Sequence, residues 1–220
     1  MLGAIILGAG RGERLGGPKA LLLLEGRTMA ERHVERALDV GCDPVVLVVR
    51  PEVAQKVDAR ACPHVRLALS EAPDPAGSLA VGLRTLGECE RVLITPVDTL
   101  PASKEICARL RAALDLGAMA ATPAHRGRGG HPVLCRAEVL ADYRAGGADR
   151  IDSVPGAEGF PPLRTVLSAL GPARVRVEVD EPTIPIDLDT PQDLRQLAGI
   201  SAPVFAERVV LSPGTPLRLK

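Results

Sequence analysis

The stretch Ala4–Leu22, "AIILGAGRGERLGGPKALL", constrains this chain more than any other. It opens as the apolar run Ala4-Ile5-Ile6-Leu7, which has the length and composition of a strand buried on both faces. It then passes at once into a loop that carries Gly8, Gly10, Gly12, Gly16 and Gly17 together with Arg11, Arg14 and Lys19. Glycines let backbone N–H groups turn toward a ligand with no Cβ in the way. Successive amides in such a turn form a concave anion site, and cations on the same loop add to it. The stretch therefore predicts a first strand that leads into a cradle for a phosphate chain; an ordinary strand-to-helix turn is the alternative.

Two familiar glycine patterns are excluded by the residues themselves. A dinucleotide fingerprint needs G-x-G-x-x-G, but the third glycine position falls on Glu13 when counted from Gly8 and on Leu15 when counted from Gly10. A Walker loop needs Gly-Lys-Ser/Thr, whereas Lys19 follows Pro18 and precedes Ala20. What remains is L-x-A-G-x-G-x-R-L-G-x-P-K, carried by Leu7, Ala9, Gly10, Gly12, Arg14, Leu15, Gly16, Pro18 and Lys19. This pattern resembles the signature loop of the nucleotidyltransferases with a glycosyltransferase-A-like fold, the MobA-like NTP transferase superfamily. The resemblance implies that Leu7, Gly8, Ala9, Gly10, Arg11, Gly12 and Lys19 bind nucleotide, and that Arg14 and Lys19 act in catalysis.

Composition limits the function classes. Lys+Arg and Asp+Glu both number 27, so no charge excess argues for a nucleic-acid or membrane surface. There is no Trp, one Tyr and two Phe, too few aromatics for a base-stacking platform. Hydrophobic residues make up 46% of 220 residues, enough for one sizeable core built from Leu, Val, Ile and Ala. Cys42, Cys62, Cys89, Cys107 and Cys135 are odd in number and contain no C-x-x-C pair, which predicts reduced thiols in a cytoplasmic protein. The first apolar run is cut short by Gly8 and has no basic region ahead of it, so neither a signal peptide nor a membrane span is expected.

Along the chain, short apolar runs at Val45–Val49, Val65–Leu69 and Arg91–Thr95 alternate with helical patterns. The alternation predicts an α/β domain, a three-layer α/β/α arrangement about a mostly parallel central sheet. Thr28 and Glu31 have capping-box spacing for a helix stopped by Gly41, with His33 as a solvated residue in its middle. Pro51 to Arg60 reads as a short polar helix, and Ser78 as the cap of a helix running to Leu86. Ser103 to Leu116 reads as an amphipathic helix, "GAMAATPA" as a strand, and "ARVRVEV" as an alternating strand. Residues 146–162, the least regular segment, read as a lid or as an added loop. The expected domain spans residues 1–200, with 201–220 as an extension in which "VFAERVVL" adds a strand or meets a partner subunit.

Three further landmarks carry chemistry. Asp98 stands just past the strand "RVLIT", where open α/β sheets bind ligands, and a single carboxylate there suits magnesium, which takes one or two carboxylates plus phosphate oxygens. A cap for the following helix is the alternative for Asp98. Asp187 and Asp189 lie two apart in "IPIDLDTPQDL", so on an extended backbone they point to one side; two surface acids before a helix capped by Thr190 are the alternative. Asp98 resembles the metal aspartate of the nucleotidyltransferases, and "DLDTP" resembles the segment that brings Asp187 or Asp189 beside it. Gly77 and Ser78 match the small-residue loop and S-L-x-x-G-L helix that line the base pocket in those relatives, although close packing of Gly82 on the sheet explains the pattern equally well. Gly130-His131-Pro132-Val133 resembles the "GHPV" segment of the cytidylyltransferases that mature molybdenum cofactor, which implies acceptor binding by His131 and Arg128. The resemblance covers residues 3 to 198. It implies a Mg2+-dependent transfer of a nucleotide, CTP favoured as its source, to a phosphate-bearing small molecule. A sugar-1-phosphate nucleotidyltransferase and a non-catalytic nucleotide-binding regulator are the competing expectations, and an oligomer is compatible with both.

Overall fold

The computed structural model describes residues 1–144 and 159–212. Its centre is an eight-stranded sheet made of β1 (Leu2–Leu7), β2 (Val45–Val49), β3 (Val65–Leu69), β4 (Arg91–Pro96), β5 (Ala120–His125), β6 (Arg128–Gly129), β7 (Val133–Arg136) and β8 (Arg174–Glu178). The strand order is β8-β5-β7-β4-β1-β2-β3, with β6 paired to β5. Neighbours run parallel through β4, β1, β2 and β3, and β8 runs parallel to β5. β7 enters antiparallel between β4 and β5, and β6 folds back antiparallel on β5.

Alternation along the strands sorts the core into two layers. Ala4 and Ile6 of β1, Val45, Leu47 and Val49 of β2, and Leu93 of β4 face one side. There they meet α1 (Met29–Asp39) and α2 (Lys104–Asp115) through Val34, Ala37, Ile106 and Leu110. Ile5, Val46, Val48, Val92 and Ile94 face the other side, against Leu79, Leu83 and Leu86 of α3 (Pro75–Leu86) and Leu167 of α4 (Leu163–Ala169). The expected three-layer α/β/α arrangement is therefore present, with its mostly parallel sheet. Gly82 is required where α3 crosses β1, because a Cβ there would lie 2.8 Å from Ile5 Cγ2 and 2.9 Å from Val48 Cγ2.

Several local expectations change. α1 has its full capping box at Thr28 and Glu31. His33 is not solvated: the helix turns it inward and leaves it 2% exposed. α3 starts three residues before Ser78, because Asp74 is its cap and accepts from the Gly77 amide at 2.8 Å, with Pro75 in the first turn. The segment after Val49 is a single helical turn, Pro51–Ala54, followed by the short strand Val57–Asp58. That strand pairs in parallel with Val209–Val210, so "VFAERVVL" does add a strand. Upstream of it, Phe205 bridges Leu22 and lays its ring against Gly17, within 3.1 Å of where a Cβ would sit. Val209 and Leu211 are each 1% exposed, so the C-terminal segment packs into the core that supports the glycine loop. Most of the irregular 146–162 stretch and the end of the tail lie outside the described residues; Phe160 stacks on Tyr143 with ring centroids 5.8 Å apart. Cys42, Cys62, Cys107 and Cys135 are buried free thiols and Cys89 is a half-buried one. No helix among the described residues is long and apolar enough to cross a membrane.

Candidate active site

The glycine loop leaves β1 at Leu7 and reverses at once. Gly8 donates to Val48 O at 2.7 Å, which ties the start of the loop to the neighbouring strand. Gly12 has φ +65° and could carry no side chain, since a Cβ would lie 1.9 Å from Gly17 O. The amides of Leu15, Gly16 and Gly17 bond back within the loop, whereas those of Gly10, Arg11 and Gly12 donate to no backbone carbonyl among the described residues. Nothing lies within 4 Å of a Cβ built on Gly10, so that side of the loop opens on free space. The space is a cavity of about 290 Å³ lined by Gly10, Arg11, Gly12, Arg14, Lys19 and the two aspartates Asp98 and Asp189.

Lys19 is the pivot of this end. Its side chain is 13% exposed, and its ammonium donates to Asp98 Oδ2 at 3.1 Å and to Asp189 Oδ1. Arg14, largely exposed, donates to Asp189 Oδ2 at 2.7 Å. Burial works to lower the Lys19 pKa, but the bonds from Asp189 and Asp98 outweigh it and hold the pKa above the ordinary value. The same bond holds the Asp189 carboxyl below the usual range. Asp187 goes the other way: partial desolvation and the nearby charges of Asp98 and Asp189 push it up.

Asp98 sits where the topology places it, two residues beyond β4. Ser103 caps α2 with its own hydroxyl, accepting from Ile106 N at 3.2 Å, so Asp98 is not the helix cap. Its carbonyl accepts from Leu188 N at 2.6 Å. Leu188 is buried, which leaves Asp187 and Asp189 on either side of it to face the cleft. Thr190 caps α5 (Pro191–Ala198) in a capping box with Asp193, so neither Asp187 nor Asp189 is spent on that helix. Behind Asp98, His33 Nε2 lies 2.8 Å from Thr99 O and its Nδ1 lies 3.3 Å from Thr95 Oγ1. A carbonyl only accepts, so Nε2 carries the proton and Nδ1 accepts from the threonine hydroxyl. Burial lowers the His33 pKa to about 4, against an opposing pull from Asp98, so this imidazole is a neutral strut under the Asp98 turn.

A second cavity of about 870 Å³ continues from the first, since Leu7 and Asp98 line both. Asp74, His131, Phe160, Leu167, Arg174 and Asp187 are among its walls. His131 lines this cavity, with its Nδ1 buried and unpartnered and its pKa lowered by burial. Gly130 before it is explained by packing, as a Cβ would lie 1.9 Å from Ile184 O.

Some expected residues do not meet the cleft. Arg128 lies exposed in β6 and lines neither cavity, because β6 is a surface turn of the β5 hairpin. Ser78 is 4% exposed, and its hydroxyl pairs with Ser70 Oγ at 3.0 Å, because the earlier start of α3 rotates it into the core. Gly77 faces Ala72, 2.7 Å from a Cβ on it, and likewise lines neither cavity. Gly8 and Ala9 support the loop from behind rather than lining it. His33 is read from the sequence only as a solvated helix residue, and Arg164, Arg174 and Arg176 are not singled out there; the arginines at i and i+2 of "ARVRVEV" are the available signal for a charged strand face.

The donors fit a small hard cation. Asp98, Asp187 and Asp189 offer oxygen only, the ligand type magnesium and manganese prefer. Among the described residues no three His, Cys, Asp or Glu side chains converge as a ready metal cage.

Comparison with known proteins gives the lineage. Over 58 residues the chain is 52% identical to nicotine blue oxidoreductase of Paenarthrobacter nicotinovorans, covering 26% of this chain and 28% of that protein. It is 34% identical over 128 residues to molybdenum cofactor guanylyltransferase of Rhizobium meliloti (strain 1021), covering 52% of this chain and 53% of that one. The chain thus spans about half or less of the length of these curated relatives. Among solved structures, Rv0371c from Mycobacterium tuberculosis H37Rv superposes with a TM-score of 0.68 at 22% identity, covering 90% of this chain and 98% of that one. That protein has also been solved in complex with manganese. The family described as MobA-like NTP transferase domain matches residues 4–158, most of the chain, so this protein belongs to the MobA-like NTP transferase family.

Proposed function

We propose that this chain is a nucleotidyltransferase that moves a nucleoside monophosphate from a nucleoside triphosphate, CTP favoured, to a phosphate-bearing small molecule. The observation that carries this reading is Asp98 at the junction of a small glycine-lined cavity and a larger one, with the Lys19 ammonium of the smaller cavity bonded to it. The triphosphate takes the first cavity and the acceptor the second, so that they meet at Asp98. The free amides of Gly10 to Gly12 and the Arg14 guanidinium hold the β- and γ-phosphates. In the free protein the Lys19 ammonium is shared by Asp98 and Asp189; with nucleotide bound it faces the α-phosphate and offsets the charge that grows there.

An acceptor phosphate oxygen forms a bond to the α-phosphorus, the bond from that phosphorus to the β-phosphate bridging oxygen breaks, and pyrophosphate leaves with the electron pair. The nucleophile is already an anion, so no residue has to remove a proton, and the protein supplies alignment and charge neutralisation. Magnesium, held by Asp98 with Asp187 or Asp189, would supply further neutralisation of phosphate charge. His131 borders the acceptor side.

The first test is the melting-temperature shift with magnesium and each of CTP, GTP, UTP and ATP, followed by pyrophosphate release with phosphate acceptors. A CTP-specific shift supports a cytidylyl donor, and a GTP-specific shift moves the donor to guanylyl. Binding without pyrophosphate release across acceptors favours the regulator. Lys19→Ala and Asp98→Ala are each expected to lower turnover on the order of a hundredfold, the scale of losing one preorganised electrostatic partner. Near-full turnover in either variant refutes the assignment.

A further inference from the structure

The wall of the larger cavity formed by β8 and α4 is basic, and among the described residues no acid pairs with it. Arg174 and Arg176 stand two apart on β8, so they share one face of the strand. Register places them beside Ala120 and Thr122 of β5. Arg164 reaches the same cavity from the first turn of α4. Arg174 Nη2 donates to Thr122 Oγ1 at 3.3 Å, while its Nε is buried with no partner. Among the described residues, no ion pair forms at Arg164, Arg174 or Arg176, although the cavity also holds acids. Asp74 caps α3 and Asp98 holds Lys19, while Asp187, the third acid of the lining, forms no ion pair with any of the three arginines. Burying a guanidinium N–H without an acceptor is costly, and guanidinium groups suit the planar or tetrahedral oxygens of carboxylate and phosphate. Burial, and then the charge of Arg176, press on Arg174 and lower its pKa.

We propose that Arg164, Arg174 and Arg176, with the Thr122 hydroxyl, form a second anion subsite that holds an anionic group of the acceptor other than its reacting phosphate. The acceptor is then a compound with at least two anionic groups, one at Asp98 and one at this wall. The word acceptor and the placement of its reacting phosphate at Asp98 rest on the nucleotidyltransferase reading; the subsite itself rests on the unpaired arginines.

The test is calorimetric titration of the full chain with three probes: glycerol 1-phosphate, 3-phosphoglycerate, and 1,3-propanediol bisphosphate. The two doubly anionic probes are expected to bind about tenfold or more tighter than glycerol 1-phosphate, the scale of a charge-assisted contact. Whichever of them is preferred identifies the second group as carboxylate or phosphate. The variant Arg174→Gln/Arg176→Gln should abolish that preference and leave the melting shift with magnesium and nucleotide as it was, while Arg176→Lys retains most of the preference. Equal binding of all three probes to the wild type, or a preference that survives the double variant, overturns the subsite. The melting shift with magnesium and CTP or GTP is recorded on the same samples and reports folding and the nucleotide cavity. A double-anion preference with no nucleotide shift in the wild type leaves the subsite standing and rejects the nucleotidyltransferase reading. A nucleotide shift with no such preference does the reverse.

Discussion

His33 gives a prediction whose size follows from its surroundings. The side chain is 2% exposed and bonded through both nitrogens, to Thr99 O and Thr95 Oγ1. Burial lowers its pKa from 6.5 to about 4; Thr99 O and Asp98 pull upward, and His131 and Arg32 press further downward. Between those two values the unfolded chain binds the proton and the folded chain does not, so stability rises with pH there. The contribution is complete above 6.5 and is lost as the pH falls toward 4. At about 1.4 kcal/mol for each tenfold change in proton activity, the full loss is about 3 kcal/mol, and about 2 kcal/mol has gone by pH 5. Urea unfolding of wild type and His33→Gln at pH 7.5 and pH 5 reads this directly. Glutamine keeps a donor for Thr99 O and does not titrate, so the other ionisable groups cancel in the difference. Wild type should lose about 2 kcal/mol more than the variant over that interval. A parallel loss in the two proteins would show that His33 is not held neutral, and the strut beneath Asp98 would have to be abandoned.

Other predictions address the loop and its brace. Gly12→Ala forces a side chain onto a φ of +65° with its Cβ 1.9 Å from Gly17 O. It should cost about 1–3 kcal/mol for the backbone alone and abolish the nucleotide-dependent melting shift. Gly10→Ala meets no atom within 4 Å and should melt like wild type, yet shrink that shift, because the methyl enters the space assigned to phosphate; an undiminished shift argues against the cradle. Phe205→Ala removes the ring that lies on Gly17 and should destabilise by about 2 kcal/mol in urea unfolding while weakening nucleotide binding. A normal nucleotide shift in Phe205→Ala would show that the C-terminal segment does not brace the loop.

The sequence by itself determined the strands, the layers and the main landmarks. Apolar runs bounded by glycine and proline, as in "VVLVV" and "AIIL", have few ways to bury both faces other than inside a parallel sheet. Glycines, capping residues and an aspartate just beyond a strand are local features, so their chemistry is written in adjacent letters: the loop, the Thr28–Glu31 box and the position of Asp98 are all legible there. Only the tertiary structure decided which distant groups share space. It joined Lys19 to Asp98 and Asp189, separated by 79 and 170 positions, because β1 and β4 are neighbours in the sheet and the segment around Leu188 is tied to the Asp98 carbonyl. Helix phase decided that His33 faces inward and that Ser78 turns from the cleft to Ser70, since a shift in where a helix starts or packs rotates each residue by about 100°. The same distinction applies to the basic residues. Arg128 and Arg174 look alike as letters, but a surface hairpin exposes one, and pairing of β8 with β5 carries the other into the cavity wall.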